Sequence, residues 1–206
     1  MARRSAAGRD DEAWFGDPAQ NYRSAAVDLV RLGGLDAVSL PALALRTGRS
    51  VADIAAEFRS TDELRERLGR YLAVTVCHTV LEVYEKGGRV AAARALVAMA
   101  EQDPAVFRQA LTGRLFSAGE DLALRVVRVF LPDAEIPESE GERRRWFDYM
   151  RSHLHAAVLT AAEFPDPDLQ SEILVGAKNG AMTVSELFNS VSAAEPELAS
   201  SVRPFS

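Results

Sequence analysis

Few side chains in this sequence stand at the spacings that catalytic or metal-binding sites require. His153 and His155 are two residues apart in a predicted helix, so they point to opposite sides of it and do not share a metal ion. Cys77 and His78 are adjacent and diverge by about 100° around their helix axis. The sequence has no glycine-rich phosphate loop, no HExxH motif and no GxSxG motif. We therefore expect a protein without catalytic activity, bound metal or cofactor.

The most informative stretch is RTGRSVADIAAEFRSTDEL, residues 46–64. It follows a predicted short helix at 39–47 and contains a second one at 50–58, with Gly48 in the turn between them. Two short helices joined by a tight turn are typical of the helix-turn-helix, whose second helix enters the major groove of DNA. The stretch therefore predicts a DNA-binding head.

The charges around this second helix favour two different interpretations. Asp53 and Glu57 lie within the helix and would repel the phosphates of a duplex at close range. Arginines flank the helix and would attract them, and a flexible arginine-bearing arm can enter the minor groove. These bases are Arg46, Arg49, Arg59 and Arg23, with Arg3, Arg4 and Arg9 in the arm. For any single one of them, an ordinary solvated surface position is the alternative.

Helix caps, glycine stops and apolar periodicity predict an all-α protein of nine helices. Asp17, Ser39 and Ser50 cap the first three apolar helical patterns, and Ser60–Glu63 and Ser117–Glu120 form capping boxes for later ones. Glycines such as Gly87-Gly88, or a proline, follow many of these patterns. The predicted helices cover about 17–33, 39–47, 50–58, 61–85, 90–101, 104–116, 118–131, 139–163 and 167–191. No alternating run predicts a strand. We divide the chain into an arm at 1–16, a helix-turn-helix domain at 17–70 and a second helical domain at 71–206.

Composition favours a cytoplasmic protein. Hydrophobic residues make up 48% of the 206, enough for a full core, but no apolar run approaches the ~18 residues of a membrane span. Cys77 is the only cysteine, so no disulfide forms within the chain. The net charge is −6, and the excess acids lie in 71–206, because residues 1–70 contain equal numbers of acids and arginines. The predominance of arginine over lysine, with abundant alanine, is typical of a GC-rich bacterial genome.

The N-terminal third resembles the tetracycline-repressor (TetR) family of bacterial regulators. The resemblance covers about 45 residues without a gap. The matching residues are Ala25, Ala26, Leu29, Gly34, Ala37, Ser39, Leu43, Ala44, Gly48, Ser50, Ile54, Phe58, Ser60 and the sequence DEL at 62–64. The rest of the chain resembles the family only in length and helical character. The resemblance implies a TetR-like fold, with a three-helix DNA-binding head on a ligand-binding body that dimerises through its last two helices.

From the resemblance we expect contacts with operator DNA around the helix-turn-helix. The residues concerned are Ser39, Arg46, Arg49, Ser50, Asp53, Arg59 and Thr61. The family usually has lysine, tyrosine and histidine where this chain has Val51, Ala55 and Glu57, and often lysine at the position of Thr61. Each lost phosphate contact lowers the salt dependence of binding by about 0.9 in the logarithmic slope. We therefore expect DNA binding that is weaker and less salt-dependent than is usual in the family.

The resemblance also implies a ligand pocket in the body, bounded by the helices between 61 and 163. The expected lining, chosen for its aromatic and methionine content, is Cys77, Met99, Phe107, Phe116, Trp146, Tyr149, Met150 and His153. Such a lining would suit an apolar or aromatic effector of modest size. Without the resemblance, a solid core is the simpler interpretation of each of these residues, and a hydrogen-bonded structural role is the simpler one for His153.

The last predicted helix has an apolar seam whose residues follow one another in steps of four and three. Gly176 and Gly180 lie within it, and a helical glycine is best tolerated where another backbone comes close. We expect a homodimer interface, as in the family, and a wholly buried helix of a monomer is the alternative. The expected interface residues are Ala157, Ile173, Ala177, Gly180, Val184 and Leu187.

These features predict a dimeric, ligand-responsive transcriptional regulator of the TetR type, acting as a repressor on operator DNA. The alternative is a TetR-like protein whose head does not bind DNA and which acts by binding a small molecule or a protein partner. The flanking arginines favour the regulator, whereas Asp53 and Glu57 favour the alternative.

Overall fold

The computed structural model describes residues 20–112, 120–164 and 166–180, and within these ranges every regular element is helical. The elements are α1 (Gln20–Gly33), a 3-10 turn (Leu35–Ala37), α2 (Leu40–Thr47), α3 (Val51–Glu57), α4 (Thr61–Gln102), α5 (Pro104–Thr112), α6 (Glu120–Phe130), α7 (Glu140–Ala162) and a helical stretch at 167–180, termed α8. The all-α prediction is confirmed for this part of the chain. None of its helices is both long and apolar enough to cross a bilayer.

Serine side chains begin four of these helices, and the caps at Ser39, Ser50 and Ser60 are the ones that the sequence predicts. Each hydroxyl accepts a hydrogen bond from the backbone amide three residues further on. The serines are Ser39, Ser50, Ser60 and Ser139, which precede α2, α3, α4 and α7. The predicted box at Ser60 differs in one detail, because Glu63 accepts from the amide of Arg59 and not from that of Ser60.

The turn between α2 and α3 is built on Gly48. Its backbone is left-handed, with φ 67° and ψ 20°, and its amide donates to the Ala44 carbonyl. This is the usual glycine ending of a helix, and it lets α3 begin three residues later. The helix–turn–helix order predicted from the sequence is therefore present as local structure.

α4 is interrupted at Gly88, where φ is 72° and ψ is −170°. The sequence predicts separate helices at 61–85 and 90–101, and the interruption falls between them. Glycine alone adopts this backbone region readily, so the residue type explains the position of the kink. The two arms, 61–87 and 89–102, are termed the first and second arms of α4.

The buried side chains form one continuous cluster through the described residues. In the first three helices and at the residue after α3 it includes Val30, Leu43, Ile54 and Phe58, which are at most 1% exposed. The first arm of α4 extends the cluster into the body, where α4 packs against α5, α6 and α7. The predicted domain boundary near residue 70 falls inside this continuous arm and stays a prediction.

Arg65 of α4 fixes the connection between α1 and α2. Its guanidinium donates to the carbonyls of Asp36 and Val38, each at 2.8 Å. The Thr61 hydroxyl oxygen also accepts the Leu40 amide at the start of α2, at 3.3 Å. The start of α4 and the α1–α2 connection are therefore joined by three hydrogen bonds.

Several expectations concern residues outside the described ranges. They are the arm at 1–16, Phe116 of the expected pocket, the Ser117–Glu120 cap, and Val184 and Leu187 of the expected interface.

Candidate functional site: an exposed short helix and an apolar cavity

α3 lies on the surface of the protein. Ile54 is its only buried residue, and the other six residues are exposed. The exposed side includes Val51, which is 47% exposed, together with three alanines and the two acids. α3 itself has no basic side chain.

The hydroxyls expected at a DNA surface have structural partners. The Ser39 and Ser50 oxygens cap α2 and α3, and the Thr61 oxygen accepts the Leu40 amide. Ser50 also donates its hydroxyl proton to Asp53, at 2.8 Å. These side chains hold the two helices in position, whatever else they contact.

The acidic side chain of Asp53 turns toward the beginning of its own helix. Its Oδ2 accepts the Ser50 hydroxyl at 2.8 Å and the Ser50 amide at 3.3 Å. These hydrogen bonds are the main reason why the pKa of Asp53 lies below its ordinary value, and the charge of Arg49 adds to them. Asp53 therefore completes a helix cap, a role that its expected position facing DNA did not indicate.

The arginines of the predicted cluster have different contacts in the structure. The Arg49 guanidinium lies 5.8 Å from the ring centre of Tyr22, and that of Arg23 lies 5.0 Å from the ring centre of Tyr71. Arg49 and Arg59 are both exposed beside α3. These two remain the bases best placed to meet a ligand of that surface.

Arg46 instead begins a chain of ion pairs that leads from α2 to the body. Its Nη2 lies 3.0 Å from Asp28 Oδ2, and the other Asp28 oxygen lies 2.9 Å from Arg31 Nη1. Arg31 Nε then donates to Asp103, which caps α5, at 2.6 Å. Arg46 first, and Arg31 second, hold the pKa of Asp28 below its ordinary range.

The body encloses a cavity of about 230 Å³. Both arms of α4 contribute to its wall, as do α5, α6, α7 and α8. The lining residues are Val76, Cys77, Arg89, Val90, Ala93, Arg94, Leu96, Leu111, Ala123, Val126, Val127, Phe130, Leu131, Phe147, Met150, Arg151, His153, Leu154, Val158, Ser171, Leu174, Val175, Ala177 and Lys178. Because the wall needs both arms of α4, the kink at Gly88 helps to form the cavity.

The expected pocket residues separate into two groups. Cys77, Met150 and His153 line the cavity, whereas Met99, Phe107, Trp146 and Tyr149 do not. Tyr149 is 57% exposed, and Trp146 is fully buried elsewhere in the core. The reason is helical geometry, because α7 turns Phe147, Met150, Leu154 and Val158 inward at steps of three and four, and Tyr149 lies on the other side.

Two features of the cavity were missed by sequence reasoning. α8 forms part of its wall, although the expected pocket was bounded only by the helices between 61 and 163. Four cationic side chains also reach the lining: Arg89, Arg94, Arg151 and Lys178. Charged residues on a helix usually indicate the solvent side, so no sequence signal marked these four as cavity residues.

His153 connects α7 to α8. Its Nε2 lies 2.8 Å from the Ala177 carbonyl oxygen, and a Cβ at Gly180 would come within 3.2 Å of the same nitrogen. The missing side chain of Gly180 thus makes room for His153 of its own chain, and its expected place in a dimer interface stays a prediction. Ala157 is buried, and Ile173 and Ala177 are half-buried against the body of the same chain.

Burial shifts the pKa of two further side chains that could take part in chemistry. Burial raises the pKa of Cys77 to about 12, so its thiol stays protonated and weakly nucleophilic. His155 points away from His153 toward Phe107, and burial, followed by the charges of Arg108 and Arg151, lowers its pKa. In the part of the chain that the structure describes, no group of three or more His, Cys, Asp or Glu gathers to hold a metal ion.

Comparison with known proteins gives no relative for this chain. No family model matches it, and no curated protein and no solved structure is significantly similar to it.

Proposed function

We propose that this chain is a dimeric, ligand-responsive transcriptional regulator of the TetR type, in which α3 meets duplex DNA and the body cavity holds a small apolar effector. The observation that carries the proposal is the exposed α3. It is capped at its start, anchored by Ile54 alone, and leaves six of its seven residues exposed on the surface. A short helix held in this way is suited to entering a groove.

The cavity supports the second half of the proposal. Its volume of about 230 Å³ exceeds that of an engineered cavity of about 150 Å³ that binds benzene. The ion-pair chain from Arg46 to Asp103 joins α2 to the cap of α5, and Leu111 of α5 lines the cavity. A ligand that displaces α5 therefore has a physical route to the head.

The test is binding to duplex DNA, first to fragments selected from a random pool and then to a fixed duplex at several salt concentrations. Arg49→Gln and Arg59→Gln should each reduce the logarithmic salt slope by about 0.9 if the side chain meets a phosphate. Arg125→Gln, at an exposed position of α6, is the matched control and should leave the slope unchanged. A wild-type protein that binds no duplex at low salt would exclude the DNA-binding half of the proposal.

One observation favours the alternative, a head that binds a protein. The exposed side of α3 is apolar and acidic, and on the neighbouring helices Leu32 and Leu45 are 71% and 87% exposed. Glu57→Gln distinguishes the two functions, because it removes a repulsive charge without touching the cap at Asp53. It should tighten non-specific binding if α3 faces DNA, whereas Glu140→Gln, in the first turn of α7, should not. Equal binding of the two variants would favour the protein-binding alternative.

A further inference from the structure

The charged side chains of the cavity are all of one sign. Among the residues that the structure describes, its lining contains three arginines and one lysine but no aspartate or glutamate. The chain as a whole has more acids than bases, 30 against 24. The composition of the protein therefore does not account for the sign of the charge at this site.

Two of these cations, Arg94 and Lys178, are at the mouth of the cavity. The exposed lining residues include Val90 and Val175, at 65% and 59%, and they mark where the cavity meets solvent. Arg94 and Lys178 are also exposed, and each lies three or four residues along the helix from one of these valines, so they share the same edge. The mouth therefore combines two apolar and two cationic side chains.

The interior of the cavity is apolar. Its buried lining residues are Val76, Cys77, Leu96, Leu111, Ala123, Val127, Leu131, Phe147, Met150 and Val158. Cys77 is a protonated thiol and behaves there as a small apolar group. A polar group of a ligand would lose its hydrogen bonds to water in this interior without gaining new ones. The buried part of a ligand must therefore be apolar.

The cations at the mouth are available to a ligand. Among the described residues, Arg94 and Lys178 have no carboxylate at ion-pair distance. Arg89 differs, because its Nε donates to the Val129 carbonyl at 2.8 Å, which fixes the side chain along the edge of α6. Arg151 is likewise engaged with the Leu111 carbonyl and Asp148.

We propose that the cavity binds an amphipathic monocarboxylate whose hydrocarbon part fills the interior and whose carboxylate lies at the mouth beside Arg94 and Lys178. The volume of about 230 Å³ suits a chain of roughly six to ten carbons, somewhat larger than benzene. Only the identification of this ligand as the effector rests on the proposed function. Binding of the ligand to the cavity does not require DNA.

The test compares three probes of equal chain length, octanoate, 1-octanol and octylamine, by isothermal titration with the full chain. Octanoate should bind at least tenfold more tightly than octanol, and octylamine should bind most weakly. Lys178→Gln and Arg94→Gln should each weaken octanoate binding about threefold, as expected for exposed charge pairs, and leave octanol binding unchanged. Both side chains are exposed, so neither change should disturb folding.

Lys86→Gln is the matched control, since Lys86 is the only other lysine, is exposed, and does not line the cavity. Octanol binding as tight as octanoate, or an equal effect of Lys86→Gln and Lys178→Gln, would overturn the proposal. Failure of all three probes to bind would overturn it as well. DNA binding measured with and without octanoate then separates the proposed regulator function from the proposed ligand. A protein that binds octanoate but no DNA would contradict the regulator function and support the ligand.

Discussion

The role of Asp53 in the structure differs from the one that its charge and position in the sequence predict. In the sequence its charge stands on the helix expected to face DNA, and it predicts repulsion of phosphate. In the structure its carboxylate is bound to the amide and hydroxyl of Ser50, so its first role is to close the helix cap. Glu57 has no such contact with the cap and is the better residue for testing repulsion.

At the scale of single residues, we predict that Ser50→Ala lowers the free energy of unfolding by about 1 kcal/mol, the usual loss for a serine cap. Asp53→Ala should lower it in the same direction and Glu57→Ala should leave it nearly unchanged, as measured by urea denaturation. The pKa of Asp53 is lowered in the folded state, so its contribution is present above the unfolded pKa of ~3.9 and is lost as the pH falls through the folded value. A larger loss for Glu57→Ala than for Asp53→Ala would contradict this role.

At the scale of elements, the breaks between helices depend on glycine backbones. Gly48 and Gly88 both have positive φ, and a Cβ at either would meet nothing within 4 Å. Any cost of adding a side chain is therefore conformational and not steric. Gly88 has the less accessible combination of angles, because its ψ is near 180°.

We therefore predict that Gly88→Ala lowers the free energy of unfolding by about 1–3 kcal/mol. Gly48→Ala should cost about 1–2 kcal/mol. Gly141→Ala is the control, because Gly141 lies inside α7 with no positive φ and open space around it, and the change should stabilise by up to about 1 kcal/mol. Denaturant titration of the three variants checks both the order and the change of sign.

The ion-pair chain between α2 and α5 makes a prediction about coupling between elements. Arg31→Gln should increase amide hydrogen exchange in α1–α3 and leave α6 and α7 unchanged, because it cuts the link between Asp28 and Asp103. Lys86→Gln removes an exposed pair within one helix and should change neither region. The effect should be small, since exposed pairs contribute little, and it should diminish at high salt. Uniform exchange changes across the protein would show that Arg31 acts on overall stability and not on this link.

Local signals in the sequence placed the helices well. Ser39, Ser50 and Ser60 predicted helix starts, and the Gly87-Gly88 pair predicted the interruption of α4, because caps and glycine turns depend on a few adjacent residues. The cavity was harder to predict because its lining depends on how long helices rotate against one another. Tyr149 and Met150 are neighbours in the sequence, yet only Met150 lines the cavity.

At the scale of the whole molecule, the proposed dimer interface is better tested at Gly176 than at Gly180. Gly180→Leu would press on His153 of the same chain and would disturb a monomer and a dimer alike. Gly176 is exposed and has nothing within 4 Å of a Cβ built on it. It is therefore the position where a new side chain tests for a partner.

We predict that the wild-type protein sediments as a dimer at micromolar concentration and that Gly176→Leu shifts it toward monomer without unfolding it. The physical reason is that leucine fits in the space beside an isolated α8 but not against a second subunit packed there. Glu172→Leu places the same side chain one turn earlier on the same face of α8, so the size of its effect shows how far the contact extends along the helix. A Gly176→Leu protein that remains fully dimeric would place the interface elsewhere.

The hydrogen bonds of Arg65 and Thr61 tie the α1–α2 connection to the first arm of α4, so the two move together. This arm, 61–87, extends for about 40 Å at the usual rise of 1.5 Å per residue. The α1–α2 connection is tied to one end of it, and the cavity lies near the other. A rotation of about 5° at the Gly88 end would therefore move α2 and α3 by about 3.5 Å, which is close to the spacing of one base pair along the axis of DNA. In the proposed regulator, a ligand that shifts the cavity wall only slightly would thus move α3 by about one base-pair step.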